Sequence, residues 1–160
     1  MCTGLIIRRW LVGLAVAAAS VAFASCGSGS STSPEEFQAD ANRVCHDAER
    51  ELDRIQAMPP GTADQAEKQA EALIDVSEQA LDNLRKIDPP EDLADTYDRY
   101  LAEREKGIGF IEDARDAAAD NDSDAYVRAK RRLAAEQPTR RQLALQLGLG
   151  ACSRPSVPSR

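Results

Sequence analysis

Histidine is nearly missing from this 160-residue chain, in which His46 is the only one. A structural zinc site draws on several His or Cys ligands, and a di-iron bundle site on Glu-x-x-His pairs. No Glu-x-x-His pair is present and no set of zinc ligands is legible, so His46 reads as a solvent-facing helix residue, and no metal or cofactor is expected. Aromatic residues make up only 4% of the chain. Strands favour β-branched and aromatic side chains, so that scarcity points away from sheets and towards close-packed helices. Net positive charge is lacking as well. The formal charge is -7, which argues against general nucleic-acid binding, because that needs a basic surface. There is no glycine-rich phosphate loop and no G-x-S-x-G motif, and the serines cluster in the stretch after Cys26 and in the C-terminal tail with no base to activate them. No catalytic constellation is legible, and the expectation is a protein that is not an enzyme.

A membrane-spanning run is also missing. The longest apolar stretch, residues 10–24, has 15 residues, whereas about 20 are needed to cross the hydrocarbon of a bilayer. Arg8 and Arg9 precede it, which gives the charged start and short apolar core of a secretory signal peptide. The arginine pair leaves two export routes open, general secretion and twin-arginine export.

The sequence Phe23-Ala24-Ser25-Cys26 resembles the lipobox of bacterial lipoproteins: an apolar residue, two small residues, then cysteine. That resemblance implies a diacylglycerol thioether on Cys26 and cleavage just before it. Phe23 stands where the family usually has Leu. Two acyl chains anchor a protein stably where one gives only marginal binding. The implied address is the outer face of the cell membrane. The other reading is ordinary secretion with Cys26 as a disulfide partner. Loss of residues 1–25 removes Arg8 and Arg9 and no acid, taking the formal charge from -7 to -9. Residues 26–33 then read as a Gly/Ser/Thr tether, residues 34–152 as the folded domain and residues 153–160 as a disordered tail.

Four apolar stripes at three- and four-residue steps divide the domain. Ser33-Pro34-Glu35-Glu36 is a helix start, with Ser33 as cap and Pro34 at the first position. The first stripe runs Phe37, Ala41, Val44, Ala48, Leu52, Ile55 and ends at the Pro59–Pro60 break. The second carries Ala66, Ala70, Leu73, Ala80, Leu84 and Ile87, widened by Ile74 and Leu81. The Pro89–Pro90 pair is the next break, and Asp88 can cap the third helix, whose stripe begins at Leu93. The acidic run at 120–124 has the spacing of the first EF-hand ligands, but Ala125 and Arg131 stand where Gly and Glu are required. The run is read instead as a helix cap by Asp122 or Ser123. It leads into a fourth helix, with a kink or break expected at Pro138 and a stop at Gly148. Segments of 24 to 30 residues and short breaks predict an all-α, antiparallel up-down-up-down four-helix bundle.

With Cys2 in the signal peptide and Cys26 lipidated, Cys45 and Cys152 remain, and two cysteines in an exported domain imply one disulfide. Three stretches, residues 41–45 (ANRVC), the Pro89–Pro90 pair and residues 147–152 (LGLGAC), resemble small secreted or lipid-anchored helical proteins of high-GC Gram-positive bacteria. The resemblance implies the fold and the disulfide, and no activity.

Two features remain as candidate sites. Arg128, Lys130, Arg131, Arg132, Arg140 and Arg141 stand against Glu136 alone between residues 128 and 141. They read either as a helix exchanging ion pairs with acidic neighbours or as a contact for anionic lipid or envelope polymer. Gly107 and Gly109 inside the third helix cost about 1 kcal/mol each relative to alanine. They read as a close helix approach, or as a ligand groove beside Phe110. The leading functional expectation is a membrane-anchored interaction or structural module of the cell envelope, with an envelope protein or anionic lipid as partner. The alternative is a carrier for a small apolar ligand or lipid. A filled core favours the module, and an apolar cavity of about 300 Å³ or more favours the carrier.

Overall fold

The computed structural model describes residues 32–154. The stretch expected to be a signal peptide, Cys26, nearly all of the expected tether and the tail beyond Arg154 lie outside the described residues. Four α-helices account for most of the rest: α1 (Pro34–Gln56), α2 (Ala63–Leu84), α3 (Ala94–Ala119) and α4 (Ser123–Gln146). Among the described residues there is no strand. The helices have 23, 22, 26 and 24 residues, so two fall short of the predicted range because the turns at 57–62 and 85–93 take up chain.

The helix starts at Ser33 and Asp122 obey the capping chemistry read from the sequence, Thr62 adds a cap not read there, and one start is an exception. Ser33 Oγ accepts the Glu36 N–H at 3.2 Å, Thr62 Oγ1 the Gln65 N–H at 3.2 Å, and Asp122 Oδ1 the Ala125 N–H at 2.8 Å. Each satisfies one of the amides a helix start leaves over. The exception is α3. No side chain caps it; a short 3-10 turn, Glu91–Leu93, leads into it from Pro90, and Asp88 is not used. At the other end of the chain, α4 runs unbroken through Pro138, so the helix does not divide there. It stops as expected at Gly148, whose φ of 74° is left-handed. The Leu149 and Gly148 amides donate back to the Ala144 and Leu145 carbonyls at 2.8 and 3.1 Å, closing a Schellman turn.

Consecutive helices pack on one another, α1 on α2, α2 on α3 and α3 on α4. Among the described residues no Cα of α1 lies within 8 Å of a Cα of α4. The chain after α4 spans that separation at one end, because the 3-10 turn Ala151–Ser153 packs on both helices. Cys152 and Cys45 are joined there by a disulfide.

The core is thick at the disulfide end. Phe37, Leu84, Tyr97, Tyr100, Leu147 and Leu149 are its largest wholly buried side chains. Phe37 and Tyr97 meet edge to face at 5.0 Å between ring centres, a favoured aromatic geometry. Tyr97 donates to the Leu84 carbonyl at 2.8 Å, so the phenol and a carbonyl at the end of α2 satisfy one another. Burial pushes the Tyr97 phenol well above its ordinary value. Away from this end Ala48, Ala66 and Ala70 are small buried positions, while Ile74 and Leu81 of α2 form a second apolar cluster with Ile108 of α3.

Candidate functional site

Small side chains on α1 and α2, and the distance between α1 and α4, leave a cavity of about 220 Å³ open on one side. Ala48 and Leu52 of α1, Ala70 and Leu73 of α2, and Ile108 and Leu133 of α3 and α4 give it an apolar wall. It runs from the disulfide, where Cys45 and Cys152 border it, to the level of Ala66 and Ala114. From Arg104 to Ala114 on α3 that is roughly 15 Å at 1.5 Å per residue. The core is therefore not filled, yet the volume lies below the roughly 300 Å³ of pockets that enclose drug-sized ligands. The space suits a narrow chain, and the open side lets the remainder of a ligand project outward.

Cations edge this apolar space. Arg104, Lys130, Arg140 and Arg154 line it, against two acids, Glu49 and Asp53. Arg154 is bound to Glu49 at 3.4 Å. Arg104 donates from Nη1 to the Tyr100 hydroxyl at 3.0 Å and lies over the Tyr100 ring, 5.8 Å from its centre. Arg140 is half-buried. Burial, and then the like charge of Arg104, lower its pKa from the ordinary value. Lys130 stands over the Tyr126 ring at 5.5 Å.

Gly107 explains how Arg140 reaches this position. A β-carbon there would lie 3.3 Å from Arg140 Nη1 and 3.7 Å from Leu133 Cδ1. The missing side chain admits α4 and the guanidinium together, so close approach and cavity lining coincide at one residue. Phe110 also lines the cavity. Gly109 does not: the nearest atom to a β-carbon there is Glu112 Oε2, at 4.0 Å, on its own helix.

The six basic residues of α4 do not share one face. Arg140 and Lys130 line the cavity, and Arg132 pairs with Asp113 of α3 at 3.5 Å. Arg128, Arg131 and Arg141 are exposed. Between them, Glu136 accepts Lys106 of α3 at 2.9 Å, and Lys106 also lies 3.8 Å from Glu103. The hydrogen bond from Lys106 lowers the Glu136 pKa. A second depression of about 340 Å³ lies beside this surface and is lined by Asp113, Asp116, Asp120, Asp122, Arg128 and Arg132. Although larger, it is more open and carries mutually opposed charges, so it offers no enclosed wall to a ligand.

Arg104 was not singled out from the sequence, though a signal exists. It stands four residues after Tyr100 and four before Ile108, a cation in the middle of the α3 apolar stripe. His46 is exposed, with Asp47 3.9 Å away. Among the described residues no group of three or more His, Cys, Asp or Glu is placed to hold a metal ion. No helix among them is long and apolar enough to cross a membrane.

These features define an all-α helical bundle, closed by one disulfide and carrying a cation-edged apolar cavity along one side. No protein-family model, curated protein or solved structure matches the chain.

Proposed function

We propose that this protein is a lipid-anchored, non-enzymatic binding module of the cell envelope, and that it holds an apolar ligand in the cavity between α1 and α4. The observation that carries the reading is the apolar cavity itself, left where α1 and α4 stay apart and bordered by alanines. Each methylene buried in such a space contributes about 0.8 kcal/mol. About ten of them would outweigh part of the several kcal/mol of freedom that binding removes. The lipobox resemblance at residues 23–26 supports the membrane address, and the serine-rich stretch after Cys26 supports a tether. Neighbour-to-neighbour packing and the three-residue connection between α3 and α4 support an antiparallel up-down-up-down order.

The test is titration of the mature protein with N-phenyl-1-naphthylamine, a neutral dye that brightens in apolar surroundings. The expected result is saturable binding that Leu133→Trp abolishes while circular dichroism stays unchanged. Dye binding that is absent, or unaffected by Leu133→Trp, would overturn the cavity reading. For the address, Cys26→Ala is expected to release the protein from the membrane fraction or leave it unprocessed. A processed, still-anchored Cys26→Ala protein would contradict lipidation at that residue.

A further inference from the structure

Resting on the cavity reading, we infer that the ligand is a single-chain fatty-acid anion, its carboxylate on Arg104 and Arg140 and its alkyl chain directed towards Ala66 and Ala114. The charge of the cavity edge runs against that of the chain. A protein with formal charge -7 places four cations and two acids around this one apolar space. One of the acids, Glu49, is already matched by Arg154. Arg104 and Arg140 both line the cavity, and Arg104 Nη1 lies 3.9 Å from Cys45 Sγ, at its disulfide end. A carboxylate seated between the two guanidinium groups would meet a cation on either side.

The shape of the space selects among anions. A cavity of about 220 Å³ encloses one narrow chain, so a diacyl lipid would leave its second chain outside in water. An α-helix from a partner protein, about 10 Å across with its side chains, is too wide. A planar carboxylate matches the guanidinium fork in two parallel hydrogen bonds. A phosphate monoester carries up to two charges at neutral pH, and stripping water from it beside an apolar wall is more costly than for a single charge. The length of the wall and the position of the two arginines at one end of it give the chain one direction.

Displacement of N-phenyl-1-naphthylamine from the mature protein by four competitors of equal chain length tests this. Hexadecanoate is expected to displace the dye at a concentration at least tenfold lower than hexadecanol, hexadecyl phosphate or hexadecyltrimethylammonium. Arg140→Gln is expected to reduce the preference for hexadecanoate over hexadecanol to less than threefold. Arg104→Gln provides the same comparison should Arg140→Gln lose helicity. Equal affinity for acid and alcohol, or tighter binding of the phosphate, would overturn the inference and leave the apolar cavity standing. A preference for the acid that survives in both variants would overturn the placement of its head. Failure of the dye to bind at all would instead remove the cavity reading beneath it.

Discussion

Asn42 of α1 holds the backbone amide of Ala151: its Oδ1 accepts that N–H at 2.8 Å across 109 residues of chain. Its Nδ2 donates to the Gln38 carbonyl at 2.8 Å and reaches the Gly148 carbonyl at 3.5 Å. One amide therefore fixes the turn after α4 to α1, three residues from the disulfide at Cys45. Asn42→Ala is expected to destabilise the oxidised protein by about 1–3 kcal/mol, because it leaves a half-buried N–H without its acceptor. Urea denaturation of the two proteins checks this, and an unchanged midpoint would speak against the clamp.

The Cys45–Cys152 bond closes a loop with a sequence separation of 107 residues. Cross-linking so long a loop lowers the entropy of the unfolded chain, and loss of such a bond costs about 2–5 kcal/mol. The double variant Cys45→Ala/Cys152→Ala is expected to unfold at lower urea by that amount and to open the end of the cavity that the cysteines border. Mass spectrometry with and without reductant reports whether the bond is present in the mature protein. Two free thiols would contradict it.

Two glycines should respond oppositely to alanine. At Gly148 a side chain would meet the left-handed φ of 74° and the Gln38 side chain at once. Gly148→Ala is expected to cost more than about 1 kcal/mol. At Gly107 the nearest atom is the far end of the flexible Arg140 side chain, and alanine gains about 1 kcal/mol of helix propensity. Gly107→Ala is expected to be neutral or stabilising by thermal denaturation while weakening dye binding. A Gly148→Ala protein as stable as the parent would contradict the turn geometry.

Acid should loosen the contact between α3 and α4. The Glu136 pKa is lowered in the folded state by its hydrogen bond to Lys106, and the Lys106 pKa is raised by the same bond. A carboxylate with a depressed folded pKa contributes stability above its unfolded value and loses it as pH falls. The contribution is therefore complete at neutral pH and disappears below the ordinary carboxylate value of 4.5. Stability measured from pH 7 to pH 3 is expected to fall less steeply in Glu136→Gln than in the parent. Parallel curves would remove the pair from the account.

Much of the fold was legible because helix chemistry is local. The caps at Ser33 and Asp122, the stop at Gly148 and the four stripes depend on residues within a few positions of one another. The cavity was harder to see, since it depends on a distance between α1 and α4 that no stripe encodes. Ala48, Ala66 and Ala70 look the same in sequence whether a neighbouring helix closes over them or leaves them facing a space. Arg104 was missed for a related reason: a cation on an apolar stripe has meaning only once Tyr100 and the cavity lie beside it. The basic residues of α4 read as one group in sequence, while the helical rotation of about 100° per residue scatters them. Asp88 went unused because the prolines beside it lead into a 3-10 turn rather than directly into α3.

The most direct test of the account is methyl NMR of the mature protein titrated with hexadecanoate. Shifts are expected in Leu52, Leu73, Ile108 and Leu133, which line the cavity, and not in Leu84 and Leu147 of the closed end or in the exposed Leu145. Shifts confined to Leu145 and other outer methyls, or none at all, would contradict it.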